Sequence, residues 1–343
     1  MYKLARSISS KGCYEITHFY WSRSKGDNNE DFLGGINKVC GLDIGGGKVT
    51  IRLLYFVWMF RVFLYACSLP RESKIWALGF ESAFPCVVAS ILKKHDVIYD
   101  DADRFSMLFP FFKPIRKLLE ALEVYTSNRS LIHVVPTLDR YCSKFNNLFL
   151  LPNVPSEYEL NESVRLSEDL VKYSSKTVIY YNGWIGRSRG LDNLLRLRRE
   201  LTISDLFIVV AGRLDGDAAD EFSKMNGVKY VGEISQKECL SYYYISNYIY
   251  TYYDPSLEIN RFAMSNKWGD AFFTNTPIIV NSEVKYSNVI VDNGLGISFK
   301  YSDYDSLKEF ILSGNLDSGN HMSEKEPLWH TYDCYVSDLL NRI

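Results

Sequence analysis

The sequence predicts an α/β protein of two domains, and three observations carry that expectation. Strand-like apolar runs alternate with single helical segments through residues 177–312. The length of 343 residues suits two cores of about 150 residues each better than one. Near the middle, Asn153-Val-Pro155 and a polar, acidic stretch over 156–176 interrupt the pattern and mark a boundary.

In the first half, residues 16–21, 75–78, 97–99 and 131–135 are short, apolar and rich in β-branched or aromatic side chains. They read as buried strands of one open sheet, separated by helices and loops. Residues 51–67 are apolar enough to suggest a membrane span, but Arg52 and Arg61 interrupt them and the run is shorter than about 20 residues. A largely buried helix is expected instead. Residues 109–117, FPFFKPIRK, mix aromatic and basic side chains, a composition suited to an interface or to a loop leading into a surface helix.

The second half alternates more regularly. Strands are expected at 177–181, 206–211, 228–231, 248–252, 278–280 and 297–299, and helices at 191–201, 218–224, 236–246 and 304–312. Strands joined by single helices make a parallel, doubly wound sheet, whose ligands bind at the carboxyl ends of the strands. The glycine-containing turns after those strands should therefore face one crevice.

Composition narrows the function. Seven scattered cysteines without CxxC spacing indicate neither a disulfide framework nor a zinc site, which fits a reducing, cytoplasmic setting. The five histidines show no metal spacing and read as structural, and the first ten residues lack the apolar core of a signal peptide. Residues 1–155 hold 20 basic and 14 acidic side chains, leaving 19 and 27 for the rest. A basic first half and an acidic second half suggest different partners, the first facing anionic lipid or phosphate.

The most informative stretch is residues 253–280, which read as strand end, polar loop, short helix and buried strand. Lys267 falls at the expected helix start, where backbone N–H groups and the helix dipole favour an anion, and Asp270 follows one turn later. A lysine for phosphate oxygens and a carboxylate for ribose hydroxyls are what a nucleotide diphosphate requires. A solvated lysine and a helix-capping aspartate are the structural alternative.

The second half resembles the GT-B glycosyltransferases, in particular family 4 enzymes that build bacterial surface polysaccharides such as O-antigen and capsule. The resemblance is carried, in family order, by Asn153-Val-Pro155, Tyr181-Asn-Gly183 through Arg189-Gly190-Leu191, Val210-Ala-Gly212, Val231-Gly232-Glu233, Asn266-Lys267 through Asp270, and Thr276-Pro277-Ile278-Ile279. A looser match in the first half runs through Tyr2 to Arg6, Gly12 to Thr17 and Tyr99-Asp100 to Asp103. The resemblance implies two Rossmann-like domains facing a cleft: residues 1–155 on the acceptor side, 156–324 as the nucleotide-sugar donor domain, and a C-terminal helix over 325–343 packing back on the first. The chain opens inside what corresponds to the family's first helix, so the first domain should lack its first strand.

By the same resemblance the donor site comprises Gly183, Arg187, Arg189, Gly212, Asn266, Lys267 and Asp270. Arg189 and Lys267 would hold the diphosphate, Asp270 the ribose, and Arg187 would add a further phosphate contact. Phe262 stands where the family often has a second glutamate, and Glu258 substitutes for it only if the loop bends. Asp101 and Asp103 stand near the place of a family histidine, so an acid/base or acceptor-orienting role would fall to one of them.

The activity implied is retaining transfer of a sugar from a nucleotide-sugar to a glycan or lipid-diphosphate-linked acceptor, without cofactor, metal or nucleic acid. The setting implied is cytoplasmic, with peripheral contact at the inner face of the membrane. The Asp215-Gly-Asp217 turn is the nearest metal-binding pattern and reads as a solvated loop. Two other classes remain open at this stage. Gly41 to Lys48 resembles the first phosphate loop of actin-like sugar kinases, although its glycines also read as a simple turn and no second acidic phosphate loop follows. The absent strand and Phe262 also suit a weakly active or inactive binding protein on the same fold.

Overall fold

The computed structural model describes residues 2–9, 15–22, 37–44, 48–108, 112–138, 141, 144–173, 175–313 and 327–343. They form two compact units, Met1–Pro152 together with Asp333–Ile343, and Asn153–Tyr332.

The first unit begins with a helix, Tyr2–Ser9, and contains two sheets rather than the single one expected. Strands β1 (Thr17–Ser22) and β2 (Asn37–Asp43) form a separate parallel pair. Strands β3 (Lys74–Leu78), β4 (Asp96–Asp100), β5 (Ile132–Val135) and β6 (Leu148–Leu150) make a parallel sheet in that order. The sequence hid β2 because Gly41 lies inside it and weakens the strand pattern. A Cβ at Gly41 would stand 2.2 Å from the Phe19 ring, so this glycine serves the close approach of an aromatic ring within the β1–β2 pair. It is neither in a turn nor in a phosphate loop. Gly45 to Gly47 of that motif lie outside the described residues.

Helix Lys48–Ser68 corrects a second expectation. It buries one stripe, Trp58, Val62 and Ala66, at the i, i+4, i+8 spacing of a helical face, while Phe56, Phe60 and Leu64 on another face are exposed. Among the described residues no helix is long and apolar enough to cross a membrane. Residues 109–111 of the aromatic and basic segment lie outside the described residues. Residues 112–118 are exposed and lead into helix Lys113–Arg129, with a proline in its first turn. At the far end of the chain, helix Tyr332–Leu340 is tied to the first unit's other elements. Ser7 Oγ donates to Asp333 Oδ1 at 2.6 Å, Lys74 Nζ donates to the Ile343 carbonyl at 2.7 Å, and Arg342 lies 4.9 Å over the Phe149 ring.

The second unit is a six-stranded parallel sheet. Its strands are β7 (Thr177–Ile185), β8 (Leu206–Leu214), β9 (Val228–Tyr230), β10 (Tyr248–Thr251), β11 (Ile278–Asn281) and β12 (Gly296–Phe299), in the order β12-β11-β10-β7-β8-β9. The reversal of strand order beside β7 is the topological switch point at which such sheets bind ligands. Helix Leu191–Glu200 buries Leu191, Leu194, Leu195 and Leu197 against this sheet, which makes the order of segments read from the sequence energetically coherent.

Strands β7 and β8 run longer than the sequence suggested. They stay paired through Gly183↔Gly212, Trp184↔Arg213 and Ile185↔Leu214, so the two glycines sit inside the ladder and not in the turns beyond it. Both have positive φ, +93° and +123°, and a Cβ at Gly212 would fall 2.1 Å from the Gly183 carbonyl oxygen. Only residues without a Cβ allow this approach. Gly212→Ala should therefore destabilise the second unit by about 2–4 kcal/mol, combining φ strain with a backbone clash. Gly216→Ala, at φ +82° with nothing within 4 Å, should lose only about 1 kcal/mol. Urea unfolding of the two variants checks this, and equal losses would show that the contact between the strands is not what fixes Gly212.

Candidate functional site

The carboxyl ends of the adjacent strands β10, β7 and β8 bring most of the predicted donor residues together. Helix Asn266–Thr274 starts there because Ser265 caps it, its hydroxyl accepting from the Lys267 N–H at 3.3 Å. Trp268 Nε1 donates to Thr251 Oγ1 at 3.1 Å, which pins the first turn to the end of β10. Gly269 lets this turn lie against Asn153 and Val154, since a Cβ would meet Val154 Cγ1 at 2.8 Å. The Asn-Val-Pro punctuation thus abuts the helix that carries Lys267.

Lys267 turns its ammonium to Gly183, with Nζ 3.3 Å from where a Cβ would be. Asn266 precedes it, exposed at the helix start. Arg189 lies in the turn after β7, its guanidinium 4.6 Å from the Tyr253 ring centroid and donating to Asn260 Oδ1 at 3.1 Å. Asn260 in turn donates to the carbonyls of Ser188 and Asp254, so two loops hold Arg189 in place. Asp270 is buried and accepts from Gln236 Nε2 at 3.0 Å.

Arg187 departs from its predicted place. It is exposed and pairs with Asp192 at 2.5 Å on the helix that follows, so its charge is already answered within the chain. Glu258 is exposed at the start of the short helix Glu258–Arg261, and Phe262 is 39% exposed. Asp215 and Gly216 belong to the turn before helix Asp217–Ser223, and among the described residues no group of three or more His, Cys, Asp or Glu is placed to hold a metal.

Two features escaped the sequence reading. Arg213, exposed beyond Gly212, stands in register with Trp184 and places its guanidinium 5.5 Å from the indole centroid. Among the described residues Arg189, Arg213 and Lys267 form no ion pair, whereas Arg187, Arg196 and Arg199 each have a carboxylate partner. Beneath Gly183, Asn182 is buried and donates from Nδ2 to Cys239 Sγ at 2.9 Å and to the Tyr243 hydroxyl at 3.3 Å, and burial pushes the Cys239 thiol up. Strand ends expected at Tyr181 and Ala211 concealed both, because they left Asn182 and Arg213 outside the ladder that aligns the two strands.

In the first unit, Asp101 and Asp103 follow β4, and their environments differ. Asp103 is exposed. Asp101 is 1% exposed, with Oδ2 accepting from the Tyr141 hydroxyl at 2.9 Å and lying 3.7 Å from His133 Nε2, while His133 Nδ1 is 2.8 Å from Ser127 Oγ. Burial of this kind removes Asp101 from direct contact with a ligand in this conformation. Asp100, to which the sequence assigned no role, is pushed up to about 6, chiefly by burial and also by the Asp101 charge, against the opposing hydrogen bond from Trp76 Nε1 at 2.9 Å.

No protein-family model matches the chain, and no curated protein matches its sequence significantly. Its structure is similar to that of sucrose-phosphate synthase from Thermosynechococcus elongatus, with a TM-score of 0.67 and 11% identity, over 99% of this chain and 90% of that one. It is also similar to UDP-GlcNAc 2-epimerase from Neisseria meningitidis bound to UDP-GlcNAc, with a TM-score of 0.65 and 13% identity, over 100% and 96% of the two chains. The Methanocaldococcus jannaschii UDP-GlcNAc 2-epimerase in complex with UDP-GlcNAc and UDP aligns at a TM-score of 0.58 and 13% identity, over 99% and 96%.

The chain has the GT-B fold. Its two Rossmann-like units are each built on a parallel sheet, and at these identities the likeness establishes architecture, leaving chemistry to the site itself.

The raised Asp100 carboxyl gives the first unit a pH signature. Because its folded value lies above the ordinary unfolded one near 4, the folded state binds the proton more tightly. The associated stability is present below about pH 4 and is lost as pH rises through about 6. Asp100→Asn should therefore stabilise the first unit at pH 8 by about 1–2 kcal/mol, allowing for partial solvent screening, and change little at pH 4.5. Urea unfolding at the two pH values measures this, and equal effects at both would remove Asp100 as the cause.

Proposed function

We propose that this chain is a retaining, metal-independent glycosyltransferase. In this reading the second unit binds a nucleotide-sugar, and the sugar passes to a glycan or lipid-diphosphate-linked acceptor in bacterial surface polysaccharide synthesis of the family 4 type. The observation that carries the reading is Lys267, whose ammonium lies beside the bare backbone of Gly183 at a capped helix start and has no ion-pair partner among the described residues. Such a cation is set up for an anion that the protein itself does not supply. The nucleotide-sugar part is supported further by structural neighbours that include a sugar-phosphate synthase and epimerases bound to UDP-GlcNAc.

Chemistry follows from where charge develops. As the bond between the anomeric carbon and the donor phosphate oxygen breaks, negative charge grows on the leaving diphosphate, and Lys267 and Arg189 stabilise it without a protein nucleophile. The acceptor hydroxyl oxygen forms the new bond to the anomeric carbon on the same face, and its proton passes to the departing phosphate oxygen. Asp103, the exposed carboxylate after β4, is the acceptor-orienting candidate, and Asp101 supports the structure around it.

A second reading is epimerisation of a UDP-sugar, favoured by the several epimerases among the similar structures. The two differ in product: transfer releases the nucleoside diphosphate and extends an acceptor, whereas epimerisation returns an intact nucleotide-sugar of altered stereochemistry. Chromatography of reactions on a donor panel separates them, and binding without either product would leave a non-catalytic binding protein.

Under the transfer reading, Lys267→Ala and Arg189→Ala should each lower kcat by roughly 30- to 1000-fold, equivalent to about 2–4 kcal/mol, while keeping the fold. Asp270→Asn should weaken nucleotide affinity more than it slows the chemical step, because ribose contacts persist from ground state to transition state. Wild-type rates in the folded lysine and arginine variants would sink the assignment.

Peripheral membrane contact is proposed through the exposed start of helix Lys113–Arg129, where Phe112 is 81% exposed beside Lys113, Arg116 and Lys117. Flotation with anionic vesicles should weaken as salt rises, because screening acts over about 8 Å at physiological ionic strength, and should weaken again when the three basic residues are neutralised together. Binding indifferent to both changes would rule out this surface.

A further inference from the structure

Trp184 is the most exposed aromatic side chain among the described residues of the second unit, at 50%, although it belongs to a strand that is otherwise buried apart from the adjacent Gly183. Leaving half an indole in water forfeits much of its burial energy, so a core role does not explain its identity. Its orientation is set from the neighbouring strand, where Arg213 pairs with it in register and lays its guanidinium over the ring.

The surroundings give this exposed face a chemical context. The residue before Trp184 is Gly183, whose missing side chain leaves room for the Lys267 ammonium. The residue beside which this ammonium lies, without an ion-pair partner among the described residues, is thus followed directly in the chain by an exposed aromatic residue, whose ring is backed by a second cation that also forms no ion pair among the described residues. The buried tyrosines nearby, Tyr250 and Tyr252, are stacked on each other at 4.6 Å and do not offer such a face. A ring attached to a diphosphate would satisfy both features at once.

We propose that Trp184, held by Arg213, is the platform on which a ring of the bound nucleotide-sugar stacks while Lys267 neutralises the adjoining diphosphate. This rests on the donor-site reading of Lys267 and adds to it a residue that sets ligand specificity. Either the nucleobase or the sugar can present the flat face, and the two are separable by experiment.

The test uses the full chain with pyrophosphate, UDP and UDP-GlcNAc as probes, measuring thermal unfolding and tryptophan emission in wild type, Trp184→Phe and Trp184→Ala. UDP or UDP-GlcNAc should raise Tm and produce an emission change in wild type that is absent in Trp184→Phe. In Trp184→Ala the Kd for that ligand should rise about tenfold, as expected for loss of a base–aromatic stack, with pyrophosphate binding unchanged. A change already given by UDP places the nucleobase on Trp184; one that requires UDP-GlcNAc places the sugar there. If UDP and UDP-GlcNAc raise Tm but emission changes alike in wild type and Trp184→Phe, and Trp184→Ala binds as wild type does, the platform is overturned and the donor site stands. If none of the three ligands shifts Tm, the donor site falls and the platform with it.

Discussion

The geometry of the candidate donor site depends on one close approach, that of the β7 and β8 backbones at Gly183 and Gly212. With no Cβ at Gly212, the strands remain paired past the point where a side chain would strike the Gly183 carbonyl, and both glycines adopt positive φ within the ladder. Everything beyond that point inherits its position from this contact. It aligns Trp184 with Arg213, sets where the turn carrying Arg189 begins, and leaves the bare backbone beside which the Lys267 ammonium lies. The geometry of this strand end is therefore a property of how two strands pack.

The arginines of the second unit differ in how their charge is answered. On helix Leu191–Glu200 and its neighbours, Arg187, Arg196 and Arg199 are matched by Asp192, Glu200 and Glu221, and Lys308 also pairs with Glu200. Those exposed pairs contribute little stability, and their charge is already answered. Arg189 is held instead by neutral groups, the Asn260 amide and the Tyr253 ring, which fix its geometry without cancelling its charge. A cation kept in place by neutral contacts retains its full attraction for an anion, so the acidic balance of the second half says little about the local potential at this strand end.

The sequence made the second unit's element order legible because buried parallel strands are near-continuous apolar runs and the helices between them keep a 3.6-residue period. Its strand ends were not legible. Asn182, Gly183 and Arg213 look like turn residues, and only pairing across strands, a non-local property, keeps them in the ladder. In the first half, β2 was hidden by Gly41 and β6 by its three-residue length. Of the candidate donor residues, Lys267 could be placed at a helix start from local sequence features, whereas Arg189 and Arg187 were indicated by the family resemblance. The pairing of Arg187 with Asp192 was not legible, since it depends on the rotamer and on the helix that follows.

The first unit raises a different physical question, that of polar groups placed in a core. Asp101, Tyr141, His133 and Ser127 form one buried set, and beside it Glu123 accepts from Arg104 and from both the backbone and the hydroxyl of Ser106. Apolar residues of equal volume would hold the fold at least as well, since desolvating such groups offsets most of what their mutual attraction returns. What the polar set provides is fixed geometry. Asp101 donates its own N–H to the Val134 carbonyl while its carboxylate is held by Tyr141, so the chain leaves β4 along a defined path and emerges at Asp103. Because the Asp101 carboxylate is enclosed while Asp103, two residues on, is exposed, the first orders the loop and the second lies at its surface.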